Sequence, residues 1–267
     1  MSFGDVPSID VGGFDRVDSA ADPENFLRWM RHQRRAGADP LLEALAVDGH
    51  DVVLDVGCGT GIDLAALAGQ ARCAVGIDRS AAMVADACHR AAVVVADGQQ
   101  LPFRTASFDA CLCRAVLVHT PQPGATVDEI ARVLRPGGRA LFSEPDHGSH
   151  IVATTEAEIF ERVKRHRRTT FRHPLVGREL PDLAERAGLV PTATWARPVL
   201  HRSLAAARAA GGSFDTAVGA AVGDGAISQA EADRYLGSLE QLDRRGAFFF
   251  AGLSVAMMAK VPQRPSA

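Results

Sequence analysis

Val52-Val53-Leu54-Asp55-Val56-Gly57-Cys58-Gly59-Thr60-Gly61-Ile62 decides how this chain is read. The first five residues form a short apolar run, the pattern of a strand buried on both faces of a sheet. Three alternate glycines follow, and then an apolar-periodic segment over residues 62–68 that reads as a helix. Glycine lets a chain turn sharply and lets a ligand lie against backbone with no Cβ in the way. The spacing is Gly-x-Gly-x-Gly. It differs from the Gly-x-Gly-x-x-Gly of dinucleotide folds, which disfavours a nicotinamide-dependent oxidoreductase, and no Lys-Ser/Thr follows to make a P-loop.

Working outward, residues 73–77 predict a second strand closed by Asp78, and Ser80 caps a helix running to about residue 91. Residues 92–96 read as a third strand closed by Asp97, and 108–113 as a fourth. A helix over 124–134 is stopped by Pro136-Gly137-Gly138, and residues 139–143 make a fifth strand. Strands alternating with helices predict a parallel sheet covered on both faces, with right-handed crossovers that bring the strand C-termini to one edge. Ligands of such sheets bind at that edge, where the strand order reverses. Gly57, Asp78, Asp97 and Arg114 fall there.

The remainder differs. A basic helix is expected over 154–170, a helix over 180–187, a strand over 190–200, mostly helix over 203–245, and a last strand over 247–261. A strand, a long helical excursion and a returning strand predict an antiparallel edge with an inserted cap. Upstream, residues 1–22 read as an arm, a helix begins at Pro23 after the cap Asp22 with Phe26, Trp29 and Met30 on one face, and a short helix covers 40–46. The first helix is expected to act as a lid or to pack on the domain.

Composition narrows the function classes. The 267 residues are 47% hydrophobic and 23% charged, ordinary globular usage, and the net charge of −3 argues against a generally basic nucleic-acid binder. Five cysteines, at 58, 73, 88, 111 and 113, form no C-x-x-C pair, which suits a reducing cytoplasm rather than a disulfide framework or zinc ribbon. Cys111 and Cys113 are placed to face one side of a strand, but two thiols alone make a poor metal site, and no metal is expected. The opening residues carry acids and no apolar run, unlike a signal peptide, and no stretch reaches the ~20 apolar residues of a membrane span.

The acids at the edge define a ligand. Asp78 follows the second strand, where a carboxylate can accept two hydrogen bonds from a ribose diol. Asp97-Gly98 ends the third, where a carboxylate can accept from an adenine amino group. A nucleoside whose tail lies on a glycine loop without phosphates fits all three elements.

The string VLDVGCGTG (54–61 with Val53), Asp78, the run Asp97-Gly98-Gln99-Gln100-Leu101-Pro102-Phe103, Ser107-Phe108-Asp109 and Leu134-Arg135-Pro136-Gly137-Gly138 together resemble the class I S-adenosylmethionine-dependent methyltransferases. Within them the chain is most similar to the ubiquinone/menaquinone-biosynthesis-type (methyltransferase type 11) group that acts on small molecules. The resemblance covers about residues 40–145 well and is weak for the substrate. It implies a Rossmann-like, doubly wound, mostly parallel seven-stranded sheet with an antiparallel last strand. It also implies roles. Gly57, Gly59 and Gly61 lie under the methionine part of S-adenosyl-L-methionine; Asp55 orients the loop or meets the ammonium group; Asp78 holds the ribose, flanked by Arg79 and Met83. Asp97, Gly98 and Gln99 frame the adenine, Arg114 stands where backbone meets the amino-acid part, and His119 lies near the reacting methyl.

The expected organisation is therefore an arm and helical lid (1–45), a cofactor-binding core (46–147), sheet completion with a helical cap (148–246), and a final strand and tail (247–267). His119 and Glu144 are the candidate catalytic residues, with Asp146 and His147 as further bases or substrate anchors; histidine suits a base because its ordinary pKa is about 6.5. The basic run Arg162-Val163-Lys164-Arg165-His166-Arg167-Arg168 reads first as a solvated helix face, paired with Glu156, Glu158 and Glu161, and second as an anchor for an anionic substrate. The expected partner is a small-molecule methyl acceptor, with no nucleic acid and no membrane; assembly stays open between monomer and homodimer. The rival readings are an RNA or protein methyltransferase and a non-catalytic cofactor-binding protein.

Overall fold

The structure is a computed structural model and describes residues 39–209 and 213–263. Its elements begin with a short helix, α1 (Pro40–Leu45), capped by Asp39, whose carboxylate accepts from the Leu41 amide at 3.0 Å. Then come β1 (Val52–Val56), α2 (Ile62–Ala68), β2 (Cys73–Asp78), α3 (Ala81–Ala87), β3 (Ala92–Val95), β4 (Phe108–Arg114), α4 (Pro123–Val133) and β5 (Leu134–Val152). The rest comprises α5 (Ala157–Thr169), α6 (Leu180–Arg186), β6 (Val190–His201), α7 (Leu204–Ala209), α8 (Ser213–Gly223), α9 (Gln229–Arg244) and β7 (Phe250–Lys260). The expected lid helix with Phe26, Trp29 and Met30 lies outside the described residues.

The strands form one seven-stranded sheet in the order β3-β2-β1-β4-β5-β7-β6. β1 to β5 run parallel, while β7 is antiparallel to both β5 and β6. The fold is the expected doubly wound α/β sheet with an antiparallel last strand. Within the antiparallel edge, β7 is inserted between β5 and β6, so β6 is outermost. The order reverses between β1 and β4, which opens a crevice at their carboxyl ends.

Strand alternation divides the apolar residues between two layers. Leu54, Val56, Cys111, Cys113, Phe142 and Met257 pack with α4 and α6 on one face. Val53, Leu112, Leu141 and Met258 pack with α1 and α2 on the other. Cys111 and Cys113 do share a side, as period-two geometry requires. A third core lies in the cap, where Phe160, Val163, Val218, Tyr235, Leu239 and Phe248 join α5, α8 and α9 to the sheet margin.

Two boundaries depart from the sequence reading. α3 stops at Ala87 rather than near residue 91. β5 was expected to end at Ser143 but runs to Val152, across the expected junction between core and cap at 147–148. Glu144-Pro145-Asp146 looks like a loop, yet these residues pair with Val255, Ser254 and Leu253 of β7, and the ladder resumes at Ile151 opposite Ala251 after a break in register. The Pro-Gly-Gly turn survives within the same segment: Gly137 has φ +79, and its amide bonds the Val261 carbonyl at 3.0 Å. Among the described residues no helix is long and apolar enough to cross a membrane.

Candidate active site at the carboxyl edge of the sheet

The glycine loop leaves β1 and crosses the end of β2. Gly57, Gly59 and Gly61 all have positive φ, +70, +52 and +79, in the left-handed region that side chains avoid. A Cβ at Gly57 would strike the Val116 side chain, and one at Gly61 would lie 3.0 Å from the Cβ of Ala87. The backbone is tied across to β2 by the Cys58 amide on the Ile77 carbonyl (2.9 Å) and by the Gly59 amide on Oδ2 of Asp78 (3.0 Å). The other oxygen of Asp78 accepts from the Ser80 amide at 2.8 Å. Burial raises the Asp78 pKa, and these two amides pull against it. Ser80 in turn caps α3, which buries Met83 beside the same edge. Asp55 is buried within β1, one residue before the strand's end.

The loop after β3 is knotted by Gln99. Its amide N–H donates to Oδ1 of Asp97 at 2.9 Å, its side-chain nitrogen lies 3.2 Å from both carboxylate oxygens, and its side-chain oxygen accepts from the Gln122 amide at 2.9 Å. Asp97 is thereby fixed against the start of α4. Gly98 passes so near β1 that a Cβ there would come within 3.1 Å of Val56.

At the end of β4, Arg114 pairs with Asp39 at 2.7 Å and approaches Asp63 at 3.5 Å, so its side chain joins α1 and α2 to the sheet. Ala115 next adopts φ +53, a left-handed conformation uncommon for a residue with a Cβ, and donates to the Ser143 carbonyl at 2.8 Å. The turn that follows is held by Glu144. Oε1 accepts from the amides of Val116 (3.0 Å) and Leu117 (2.9 Å), and Oε2 from that of Val118 (3.2 Å). The Glu144 side chain is 0% exposed, and burial pushes its pKa up to about 7 against the pull of those amides. Both oxygens are engaged by the protein's own amides, an arrangement that favours a positioning role, holding the turn that carries Val116 and His119, over the expected role as base or substrate contact.

His119 sits on that turn with its ring 5.7 Å from Phe171, and burial followed by the nearby Arg79 charge lowers its pKa to about 4. His147 stacks on the other side of the picture, 3.8 Å from Phe171 and 12° from parallel. It is 7% exposed, and neither ring nitrogen has a hydrogen-bond partner among the described residues. Burial, then Arg167 and the neighbouring histidines, lowers its pKa to about 2. Asp146, the remaining candidate, is engaged by Arg178 at 2.7 and 3.0 Å. The edge thus collects the glycine loop, Asp78, Arg79, Met83, the Asp97–Gln99 knot and His119. Sequence reasoning missed Ala115 and Val116, whose only signal was their position after β4, and Phe171, which lies far along the chain.

The seven-stranded sheet, with its order reversing between β1 and β4, places the glycine loop, Asp78 and Asp97 along one edge of a doubly wound α/β protein. Residues 54–142 match the family model described as "Methyltransferase domain". A demethylmenaquinone methyltransferase of Clavibacter sepedonicus is 35% identical over 142 residues, which are 49% of this chain and 56% of that protein. An uncharacterised protein of a Streptomyces fradiae transposon is 36% identical over 163 residues, 57% of this chain and 47% of that protein. The chain thus spans about half the length of these curated relatives. Among solved structures, a candidate methyltransferase from Bacillus halodurans C-125 superposes with a TM-score of 0.61 at 21% identity, covering 84% of this chain and 98% of that one, which extends the shared fold beyond the core.

Proposed function

We propose that this protein is an S-adenosyl-L-methionine-dependent methyltransferase that moves a methyl group to an O, N or C atom of a small molecule by in-line displacement. The observation that carries the reading is the cradle: three left-handed glycines fastened by the Gly59 amide to Asp78. The residues fit the cofactor. A Cβ at Gly57 would strike Val116, so the loop keeps its left-handed course against that side chain only with glycine there. An ionised carboxylate has about four acceptor positions, and two amides occupy only part of that capacity in Asp78, leaving room for a ribose diol. Asp97 and Gln99 are pre-fixed for the base.

The bound cofactor supplies an electrophilic methyl on a sulfonium sulfur. This chain's task is alignment, which alone can lower a barrier by ~7–11 kcal/mol. The leaving thioether needs no proton, so no acid is required, and a base is needed only for a nucleophile that holds its proton at neutral pH. His119 and His147, with pKa values near 4 and 2, stand neutral at pH 7 and are weak bases. That supports acceptors already in nucleophilic form, such as amines that are unprotonated at neutral pH or acidic phenols, with His119 positioning the acceptor through its ring. A cytoplasmic site of action and a small-molecule partner are part of this proposal.

Incubation with methyl-labelled S-adenosyl-L-methionine and fractionated cell extract tests it. Label is expected in the small-molecule fraction. Label confined to RNA or protein would move the assignment to those substrates, and absence of label with cofactor bound would leave a non-catalytic binding protein.

A further inference from the structure

A second cleft opens in the cap, between α5, α8, α9 and the adjoining ends of β5 and β7. Most of its lining is apolar: Phe160 and Val163 of α5, Ala217 and Val218 of α8, and Phe250 of β7. Its volume is about 40 Å³. One water needs at least ~10–15 Å³, so the cleft admits the end of a molecule rather than a whole ring system. The cations at its margin are taken up by the protein itself. Lys164 pairs with Glu161 at 2.6 Å and lies 5.1 Å over the Phe160 ring, and Arg167 lies 5.5 Å over Phe171. Charge is therefore not what the cleft offers.

Two neutral polar groups remain. Tyr235 lines the cleft from α9, is 1% exposed, and stacks its ring beside Phe160 at 6.3 Å. Its hydroxyl enters no hydrogen bond among the described residues, and burial alone pushes its pKa up, so it stands as a protonated phenol. A buried tyrosine hydroxyl ordinarily has a partner; here it is the cleft that the side chain meets. His150 enters from the end of β5. Its ring lies 5.3 Å from Phe250 and 5.6 Å from His147, edge to face with the latter, and hydrogen-bonds nothing among the described residues. A Cβ at Gly252 would lie 2.7 Å from its Cδ2, so glycine in β7 makes the room that the ring occupies. Burial, then Arg167, lowers the His150 pKa to about 4, which leaves the imidazole neutral at pH 7 with one nitrogen donating and one accepting.

We propose that the cap cleft binds the hydroxyl end of an aliphatic molecule, with Tyr235 donating to the ligand oxygen and the His150 ring accepting from the ligand O–H. A hydroxyl donates and accepts through one oxygen, so it satisfies both groups at once. A carboxylate would bring its charge against apolar walls whose neighbouring cations are already engaged. Hydrocarbon behind the hydroxyl gains from burial against Phe160, Val163 and Val218. This site lies in the cap and does not depend on methyl transfer at the carboxyl edge.

Titration of the full chain with 1-pentanol and with 1-chloropentane, in which chlorine replaces the hydroxyl, tests this when followed by NMR. 1-Pentanol is expected to bind saturably and to shift the resonances of Tyr235, His150 and Val218. Tyr235→Phe and His150→Phe should each weaken 1-pentanol by about threefold or more, while 1-chloropentane and S-adenosylhomocysteine binding stay unchanged. Tyr235→Phe should also melt no lower than the parent, because the hydroxyl it removes has no partner in the fold. Should His150→Phe not fold, Tyr235→Phe alone decides. A cleft that holds only water, seen as no shift with 1-pentanol, would overturn the proposal. So would 1-pentanol affinity unmoved by Tyr235→Phe, equal losses for the two probes, or a lower melting temperature in that variant. Alcohol binding without uptake of S-adenosylhomocysteine would uphold the cap site and count against the methyltransferase reading.

Discussion

The amide of Gly59 donates to Oδ2 of Asp78 across 3.0 Å, so the middle of the glycine loop is fastened to the end of the neighbouring strand. One carboxylate therefore shapes the cradle and stands beside it. The loop's conformation and its ligand chemistry are not separable, and substitutions on either side report on both.

Gly57 and Gly188 give a controlled comparison. Both have positive φ, +70 and +75, but a Cβ at Gly188 meets nothing within 4 Å whereas one at Gly57 strikes Val116. Gly188→Ala should show only the left-handed penalty of about 1 kcal/mol, a fall of roughly 2–4 °C in melting temperature for a chain of this size. Gly57→Ala should fall further and also weaken cofactor binding. Thermal melts of the two variants check this, and equal shifts would mean that Val116 yields freely.

The core was legible because its signals are local. A buried strand ending in glycines, and strands ending in Asp78 and Asp97, need only neighbouring residues to be read. β5 was not legible beyond Ser143, because Glu144, Pro145 and Asp146 are polar or ring-constrained and their partners lie more than a hundred residues away in β7. The surroundings of Glu144 were hidden for the same reason. A carboxylate near a ligand edge looks chemical until the amides of Val116, Leu117 and Val118, twenty-six to twenty-eight residues upstream, are seen to bond both of its oxygens. The insertion of β7 between β5 and β6 is likewise a choice of pairing that periodicity does not contain.

Glu144→Gln tests the positioning role. A carboxamide offers one acceptor oxygen and turns an NH2 toward an amide donor, so at least one buried N–H loses its partner, at about 1–3 kcal/mol. The expected result is a lower melting temperature together with weaker cofactor binding. A variant as stable as the parent but unable to transfer methyl groups would return Glu144 to the substrate's side of the reaction.

The imidazoles set an acid limit. His147 falls to about 2 and His119 and His150 to about 4, each mainly through burial, from an ordinary 6.5, with Arg167 next for His147 and His150 and Arg79 for His119. The unfolded chain then binds protons that the folded chain refuses. This stability is complete above pH 6.5 and is lost as pH falls toward 4, with a slope of up to about 1.4 kcal/mol per pH unit for each ring. Melting temperatures measured from pH 7.5 to 4.5 should drop, and His147→Phe, which keeps a ring against Phe171, should flatten the drop by about one group. An unchanged slope in that variant would remove His147 from the set.

The most direct measurement is calorimetric titration of the chain with S-adenosylhomocysteine, beside the Asp78→Ala variant. The parent should bind at a single saturable site. The variant, having lost both the ribose acceptor and the anchor of Gly59, should bind at least tenfold more weakly, about 1.4 kcal/mol. No uptake by a folded parent, or equal affinity in the Asp78→Ala variant, would contradict the account.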